Sequence, residues 1–109
     1  MTIRELQKEV HSNAINKGFW YAGQLTNIPE KLCLIHSELS EALEDYRINN
    51  MESHYNPDGK PVGFPTELAD AFIRLLDLAE FLGIDLMNEA VNKHLYNINR
   101  PYKHGNKKA

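Results

Sequence analysis

The sequence predicts an all-α protein, specifically a four-helix bundle that is completed by oligomerisation. Three observations support this prediction. Apolar residues recur at helical spacing in four segments, helix-capping and helix-ending residues stand at the segment ends, and nothing in the sequence signals a β-hairpin. The 109 residues match the size of one domain, so we expect a single domain over residues 1–109 with a basic C-terminal tail from about residue 101.

The first helix is predicted to run from Ile3 to about Gly18. Thr2 and Glu5 fit a capping box, in which each side chain satisfies a backbone N–H group of the first turn. Apolar side chains then recur at every third or fourth position. Residues 19–27 break this pattern and are expected to form a loop.

The second helix should begin near Asn27, because asparagine is a favourable N-cap and Pro29 is tolerated in a first turn. It is expected to reach about Asn49. The next segment, residues 49–65, is rich in Asn, Pro and Gly, a composition that is typical of turns.

The third helix is predicted over residues 65–82, and it ends before Gly83, a residue preferred just beyond helix ends. Asp85 is suited to cap a fourth helix, which Pro101 should end or kink. Apolar side chains cover more than half of the circumference of the third helix. A small chain has too few other elements to bury that surface, so we expect association between chains.

Composition excludes several classes of protein. Hydrophobic residues make up 42% and charged residues 25%, which is ordinary for a folded chain. The single cysteine, Cys33, cannot form an internal disulfide, and no Cys/His spacing resembles a zinc site. No secretory signal and no apolar run of roughly 20 residues is present, so we expect a cytoplasmic protein without a membrane partner.

Charge is distributed unevenly along the chain. All fifteen acidic residues lie at or before Glu89, whereas five basic residues and no acid follow residue 92. An acidic body with a basic tail is suited to hold a cation on one part and phosphate groups on the other, and the alternative is a solvated, frayed C-terminus. A basic tail on an acidic protein is poor support for nucleic-acid binding, and we expect none.

Acidic residues border the apolar stripes of the second and third helices. They are Glu38, Glu41 and Asp45 on the second helix, and Glu67, Asp70 and Asp77 on the third. At about 100° per residue, each set of three lies on one side of its helix. If the two apolar stripes pack together, the acidic edges can converge.

Carboxylates brought together at the edge of a core repel one another, and a hard divalent cation is the simplest compensation. Oxygen ligands favour Mg²⁺ or Mn²⁺. A di-iron site normally needs a Glu-x-x-His motif, which the sequence lacks. The alternative is that these acids only solubilise the helices or pair with Lys and Arg.

Two segments resemble a known superfamily. The pattern Glu38-x-x-Glu41, then 25 residues, then Glu67-x-x-Asp70 resembles the signature of the all-α nucleoside triphosphate pyrophosphohydrolases. This superfamily includes MazG-like proteins, dimeric dUTPases, dCTP pyrophosphatases and phosphoribosyl-ATP pyrophosphohydrolase. The segment 93–102 also resembles the Lys-x-x-x-Asn-x-x-Arg end of MazG-like chains.

The resemblance implies a hydrolase acting on phosphoric anhydrides, with Mg²⁺ (or Mn²⁺ as a substitute) bound by Glu38, Glu41, Glu67 and Asp70. Such enzymes cleave nucleoside triphosphates between the α and β phosphates, and a role in cleaning the nucleotide pool is expected. Glu38 or Glu41 would orient or deprotonate the attacking water, and the choice between these two catalytic residues stays open. The resemblance also favours a tetramer, with a dimer as the alternative.

Four basic or amide side chains are candidates for phosphate binding. Lys31 lies two turns before Glu38 on nearly the same side of its helix, although it could equally be an ordinary surface lysine. Lys93, Asn97 and Arg100 share one face of the fourth helix and together resemble a triphosphate clamp.

The aromatic cluster 19–21 is the best candidate for a surface that receives a base, with Trp20 as the base-contacting residue. The alternative for this cluster is core packing or a subunit interface. Segment 49–64 could act as a lid or specificity loop, or have no function. Two other functions stay open: a non-catalytic helical oligomer that acts as an interaction or regulatory module, and the same fold acting on a special nucleotide such as phosphoribosyl-ATP.

Overall fold

The computed structural model describes residues 1–20 and 27–108, and it is mostly helical. Four long helices follow the predicted order: α1 (Ile3–Asn16), α2 (Ile28–Arg47), α3 (Phe64–Phe81) and α4 (Leu86–Ile98). Their bounds differ from the predicted ones by up to two residues. None of the helices in the described ranges is both long and apolar enough to cross a membrane.

Three of the predicted helix caps are present. Thr2 Oγ1 accepts from the backbone N–H of Glu5 at 3.0 Å, and the side chain of Asn27 caps α2 in the same way. Asp85 Oδ1 accepts from the N–H of Asn88 at 3.1 Å, which begins α4. Each cap satisfies a backbone donor that the helix itself leaves unpaired.

The prediction that the chain contains no β-hairpin is wrong. Strands β1 (His54–Tyr55) and β2 (Pro61–Val62) pair antiparallel between α2 and α3, with His54 opposite Val62. The four residues Asn56–Gly59 form the turn, in which the Gly59 N–H donates to the Asn56 carbonyl at 2.8 Å. Strands of two residues are too short for alternating apolar and polar positions, so the usual sequence signal of a hairpin is missing.

Gly63 joins the hairpin to α3 in a conformation that only glycine adopts readily. Its φ is +112°, and a Cβ atom at this position would collide with the backbone carbonyl oxygen of Glu52. The Gly63 carbonyl accepts the N–H groups of Thr66 and Glu67, which begins α3. This close packing sets where the first turn of α3, and therefore Glu67, lies.

Helix α3 is the central element, and it packs against α2 on one side and α1 on the other. The buried hydrophobic residues come from α2 and α3: Ile35, Ala42, Ala71, Leu76, Leu78 and Ala79. Gln7 of α1 is also fully buried. Its Nε2 donates to Oε1 of Glu80 and to the Ile84 carbonyl, which ties α1 to the end of α3.

The fold is open rather than compact. Its radius of gyration is 16.6 Å, whereas a compact chain of this length has about 13 Å. Helix α4 packs chiefly along α1 and has no buried residue. Beyond Pro101, the short turn α5 (Lys103–Asn106) has positive φ at every residue.

Candidate functional site

Three of the four predicted metal ligands lie together where α2 packs on α3. Carboxylate oxygens of Glu38, Glu67 and Asp70 all lie within 4.8 Å of one another. Glu67 and Asp70 are three residues apart on α3, so they share a face of that helix, and Glu38 lies across the interface on α2. The two predicted acidic edges therefore converge at these three residues.

Burial and mutual repulsion alter the acidity of this cluster. Burial, a hydrogen bond with Glu41 and the negative charges of Glu41, Asp70 and Glu38 raise the pKa of Glu67 to about 7. The pKa of Asp70 is also raised, first by burial and then by the charge of Glu38. Ionised carboxylates in such a site are unfavourable until a cation compensates them.

Glu67 also carries an unsatisfied acceptor. Its Oε2 atom is buried and has no hydrogen-bond partner among the described residues. An oxygen-only donor set with a buried, unpaired oxygen fits a hard divalent cation such as Mg²⁺ or Mn²⁺.

Glu41, the fourth predicted ligand, lies beside the cluster and is not one of the three acids that converge. It contacts Glu67, but its side chain is exposed, whereas Glu38 is buried. One helical turn separates Glu41 from Glu38 on α2. The two glutamates of the first motif therefore have different environments, which the sequence motif alone does not distinguish.

Arg74 is a member of the site that the sequence reasoning missed. Its Nε atom donates to Oε1 of Glu38 at 2.8 Å. The positive charges of Arg74 and of Lys60 from the hairpin partly offset the rise in the pKa of Asp70. Arg74 lies four residues after Asp70, so helical spacing places both on one face of α3, and this spacing is the signal that could have identified it.

The other two acids of the predicted edges, Asp45 and Asp77, do not join the cluster. Asp45 accepts a hydrogen bond from Nδ2 of Asn50 at 3.0 Å, near the end of α2. Asp77 lies two turns beyond Asp70, where its partners are His11 and Trp20. Glu38 contacts Arg74 and Glu41 adjoins Glu67, so α2 and α3 run in opposite directions, and Asp45 and Asp77 lie towards opposite ends of their interface.

A cleft of about 690 Å³ adjoins the acidic cluster. It lies between α1, α2 and α3, and Glu38, Asp70 and Arg74 line one part of it. Apolar side chains of α1 line much of the rest, together with Trp20 and Lys31. This volume is in the range of small-molecule sites, which combine apolar walls with a few polar groups.

Trp20 and Lys31, both predicted to bind substrate, contact each other in this cleft. The Lys31 Nζ atom lies 4.3 Å from the centroid of the Trp20 ring, and it also donates to the Phe19 carbonyl at 3.3 Å. Phe81 stacks on the same indole with a centroid distance of 4.4 Å and an interplanar angle of 15°. Phe81 and the ammonium group of Lys31 therefore both lie against the Trp20 ring. The predicted aromatic neighbour Tyr21 lies outside the described residues.

The three predicted residues of α4 do not line this cleft. Lys93 and Arg100 instead flank the ring of Tyr96, at 5.0 and 5.7 Å from its centroid. Oδ1 of Asn97 is buried without a hydrogen-bond partner among the described residues. Within one chain, the acidic cluster and the basic face of α4 are therefore separate features.

Comparisons with known proteins do not assign the chain to a family. No family model, no curated protein and no solved structure matches it.

Proposed function

We propose that this protein is a Mg²⁺-dependent nucleoside triphosphate pyrophosphohydrolase that cleaves its substrate between the α and β phosphates. The convergence of Glu38, Glu67 and Asp70 is the observation that carries the proposal. The resemblance of both acidic motifs to the all-α pyrophosphohydrolases supports the reaction class. The adjoining cleft supports a substrate that has an aromatic group attached to a phosphate chain.

In this proposal, Glu38, Glu67 and Asp70 hold the cation, and Glu41 completes its surroundings. When bound, a divalent cation neutralises phosphate oxygens and acidifies water at the site. Its binding also relieves the repulsion that raises the pKa of Glu67.

Between the two glutamates that could activate water, the geometry favours Glu41. Glu38 is buried and paired with Arg74, and this contact holds its carboxylate in place. Glu41 is exposed, with no salt bridge among the described residues, and contacts Glu67 at the edge of the cluster. A base must reach both water and the cluster, and Glu41 meets both conditions.

The cleft would receive the remainder of the nucleotide. A triphosphate at the acidic end extends past Lys31, whose flexible ammonium group can turn from Trp20 to a phosphate oxygen. The face of Trp20 under Lys31 would then be free to contact a base.

We further propose that the protein is a homo-oligomer, either a tetramer built from two dimers or a dimer. The chain has an accessible surface of 8435 Å², about 2,200 Å² more than the roughly 6,200 Å² expected for a folded monomer of 12.5 kDa. A standard interface buries about 800 Å² on each partner, so the excess surface is sufficient for a large one.

The exposed apolar residues of α2 and α3 have the spacing of a helix–helix interface. They alternate at intervals of four and three residues, interrupted by His36 on α2 and by the buried Ala79 on α3. These residues, here called the apolar seam, are Leu32, Leu39, Leu43 and Tyr46 on α2, and Leu68, Phe72, Leu75 and Leu82 on α3. Such spacing is typical of helices that pack in bundles. A second copy packed on the seam would create a four-helix core.

Assembly also offers a role for α4. Its basic face does not line the cleft of its own chain, and its weak packing leaves it free to contact another copy. Lys93, Asn97 and Arg100 would then bind the phosphates at a neighbouring acidic cluster.

The decisive experiment is hydrolysis of the eight common ribo- and deoxyribonucleoside triphosphates, with and without Mg²⁺, with products resolved by chromatography. We expect a nucleoside monophosphate and pyrophosphate, and no products after chelation. Glu67→Gln and Asp70→Asn should abolish turnover, whereas Glu44→Gln, which removes an exposed acid from α2, should not.

Other results would reject this proposal in distinguishable ways. Release of a nucleoside diphosphate and phosphate would contradict the bond that we expect to be cleaved. Inactivity towards all eight, with a Mg²⁺-dependent rise in melting temperature, would favour a special nucleotide such as phosphoribosyl-ATP. Inactivity without any effect of Mg²⁺ would favour a non-catalytic helical module.

A further inference from the structure

We propose that Asp77 is a positioning residue: it fixes the plane of the Trp20 ring so that the ring face under Lys31 can receive a nucleotide base. This inference rests on the proposed function, because it assigns the cleft beside the acidic cluster to the base. It adds a residue that neither acidic motif includes.

Asp77 holds the indole through its only polar atom. The Nε1–H group of Trp20 donates to both carboxylate oxygens of Asp77, each at 3.0 Å. A donor shared between two oxygens lies close to the axis of the carboxylate, which restricts rotation of the indole. On the other side of Asp77, Nδ1 of His11 lies 2.7 Å from Oδ1.

In the part of the chain that the structure describes, the ring of Trp20 contacts Phe81, His11 and Lys31. Phe81 of α3 stacks on the indole at a centroid distance of 4.4 Å, and the His11 ring meets it in a T-shaped arrangement at 5.3 Å. Where Lys31 covers the ring, the contacting group is an ammonium group on a flexible chain. An anionic ligand can attract that ammonium group away, whereas Phe81 is held by its helix.

Asp77 is a largely buried acid whose close partners are the His11 ring and the Trp20 indole. Its side chain is only 17% exposed, and it has no Lys or Arg partner in the part of the chain that the structure describes. A partly buried carboxylate is less favourable than an apolar side chain that fills the same space. The hydrogen bonds to Trp20 give this charge a specific task.

The position of Asp77 suits a base whose phosphates lie at the acidic cluster. Asp77 follows Asp70 by seven residues, two turns along the same face of α3, or roughly 10 Å at the rise of a helix. Both residues line the cleft. A nucleotide extended along α3 would therefore place its base beside Trp20 when its phosphates are beside Asp70.

The test compares Asp77→Ala with Asp77→Asn in steady-state kinetics on the best substrate among the eight triphosphates. Stacking on an aromatic residue typically changes affinity by about ten- to hundredfold. We expect Asp77→Ala to raise KM by about tenfold or more with little change in kcat, the pattern of lost binding. Asp77→Asn keeps an acceptor oxygen, so its KM should lie between those of Asp77→Ala and the unmodified protein. Glu44→Gln is the matched control and should leave KM unchanged.

A double-mutant cycle tests whether Asp77 acts through Trp20. Trp20→Phe removes the N–H donor but keeps an aromatic ring, so Asp77→Ala or Asp77→Asn should change KM by less than about twofold in that background. An equal effect of Asp77→Ala in both backgrounds would overturn the proposal. If Asp77→Ala does not melt cooperatively, Asp77→Asn with Trp20→Phe completes the cycle.

Fluorescence gives a reading without turnover, because Trp20 is the single tryptophan of the chain. The α,β-methylene analogue of the best substrate resists cleavage and should quench Trp20, and Asp77→Ala should need about ten- to hundredfold more analogue. Unchanged analogue affinity in Asp77→Ala, with normal turnover by the unmodified protein, would overturn this inference alone. Absence of both turnover and quenching in the unmodified protein would overturn the proposed function and this inference together.

Discussion

Arg74 of α3 donates from Nε to Oε1 of Glu38 on α2 across 2.8 Å, and this contact joins the two helices at the acidic cluster. Glu38 is therefore the one acid of the converging three with a close cationic partner among the described residues. The pair limits how much negative charge the cluster carries before any cation binds. It also links the stability of the α2–α3 interface to the composition of the site.

Replacing Arg74 should destabilise the protein most when no metal is bound. Arg74→Gln leaves the buried Glu38 carboxylate without its partner, and we expect a loss of about 1–2 kcal/mol in the free energy of unfolding, since Arg74 is partly exposed. Mg²⁺ should reduce this loss because it supplies the missing positive charge. Urea unfolding with Mg²⁺ and with chelator measures both values.

Arg47→Gln, which removes the exposed pair with Glu44, is the control and should lower the free energy of unfolding by less than about 0.5 kcal/mol. An identical loss with and without Mg²⁺ would contradict the link to the site.

Glu67→Gln should stabilise the metal-free protein, and increasingly so as the pH rises. Burial and neighbouring charges raise the pKa of Glu67 in the folded protein from 4.5 to about 7, so the folded state prefers the protonated group. The stability that this preference contributes is present below pH 4.5 and is lost as the pH rises to about 7. The neutral glutamine avoids this loss.

Melting temperatures measured in chelator between pH 5 and pH 8 test this prediction. The difference between Glu67→Gln and the unmodified protein should increase over that range and level off above pH 7, with Glu44→Gln as control. Mg²⁺ should raise the melting temperature of the unmodified protein and not that of Glu67→Gln. A difference in melting temperature that does not change with pH would show that ionisation of Glu67 does not destabilise the metal-free protein.

A charge in the apolar seam should break the assembly. Leu39 is 49% exposed at the middle of the seam on α2, and Leu39→Asp would place a carboxylate in an interface that the proposal makes apolar. Burial of one leucine contributes about 1.5–3 kcal/mol to the free energy of association, and a two-fold interface contains each such leucine twice. We expect light scattering to give a mass of 12.5 kDa or an unfolded chain for Leu39→Asp. Ser37→Asp, on the same helix outside the seam, should keep the oligomeric mass. A mass of 12.5 kDa for the unmodified protein would reject the assembly.

The two glycines of the hairpin segment should differ in their tolerance of alanine. Both have positive φ, +112° at Gly63 and +88° at Gly59, so either substitution costs about 1 kcal/mol through the backbone. At Gly63 the new Cβ also collides with the Glu52 carbonyl, whereas nothing lies near Gly59. We expect Gly63→Ala to lower the melting temperature several degrees more than Gly59→Ala, and equal effects would contradict the close packing at the start of α3.

Local features of the site could be predicted from sequence, but contacts between helices could not. Spacing along a single helix identified Glu38 with Glu41 and Glu67 with Asp70, because a helical repeat relates neighbours on one face. Trp20 and Lys31, which were each predicted to bind substrate, lie in contact in the cleft. Arg74 and Asp77 obtain their partners from other helices, and no local pattern shows which levels of two helices meet.

By itself, the sequence determined that the chain forms four long helices and where they begin, because caps, prolines and apolar spacing act over a few residues. The tertiary structure decided which side chains converge, because the packing of α2 on α3 brings Glu38, Glu67 and Asp70 together and leaves Asp45 and Asp77 to other partners. It also showed that α4 lies apart from the acids of its own chain. These outcomes depend on how helices cross and pack, which is set by the shapes of surfaces distant in sequence.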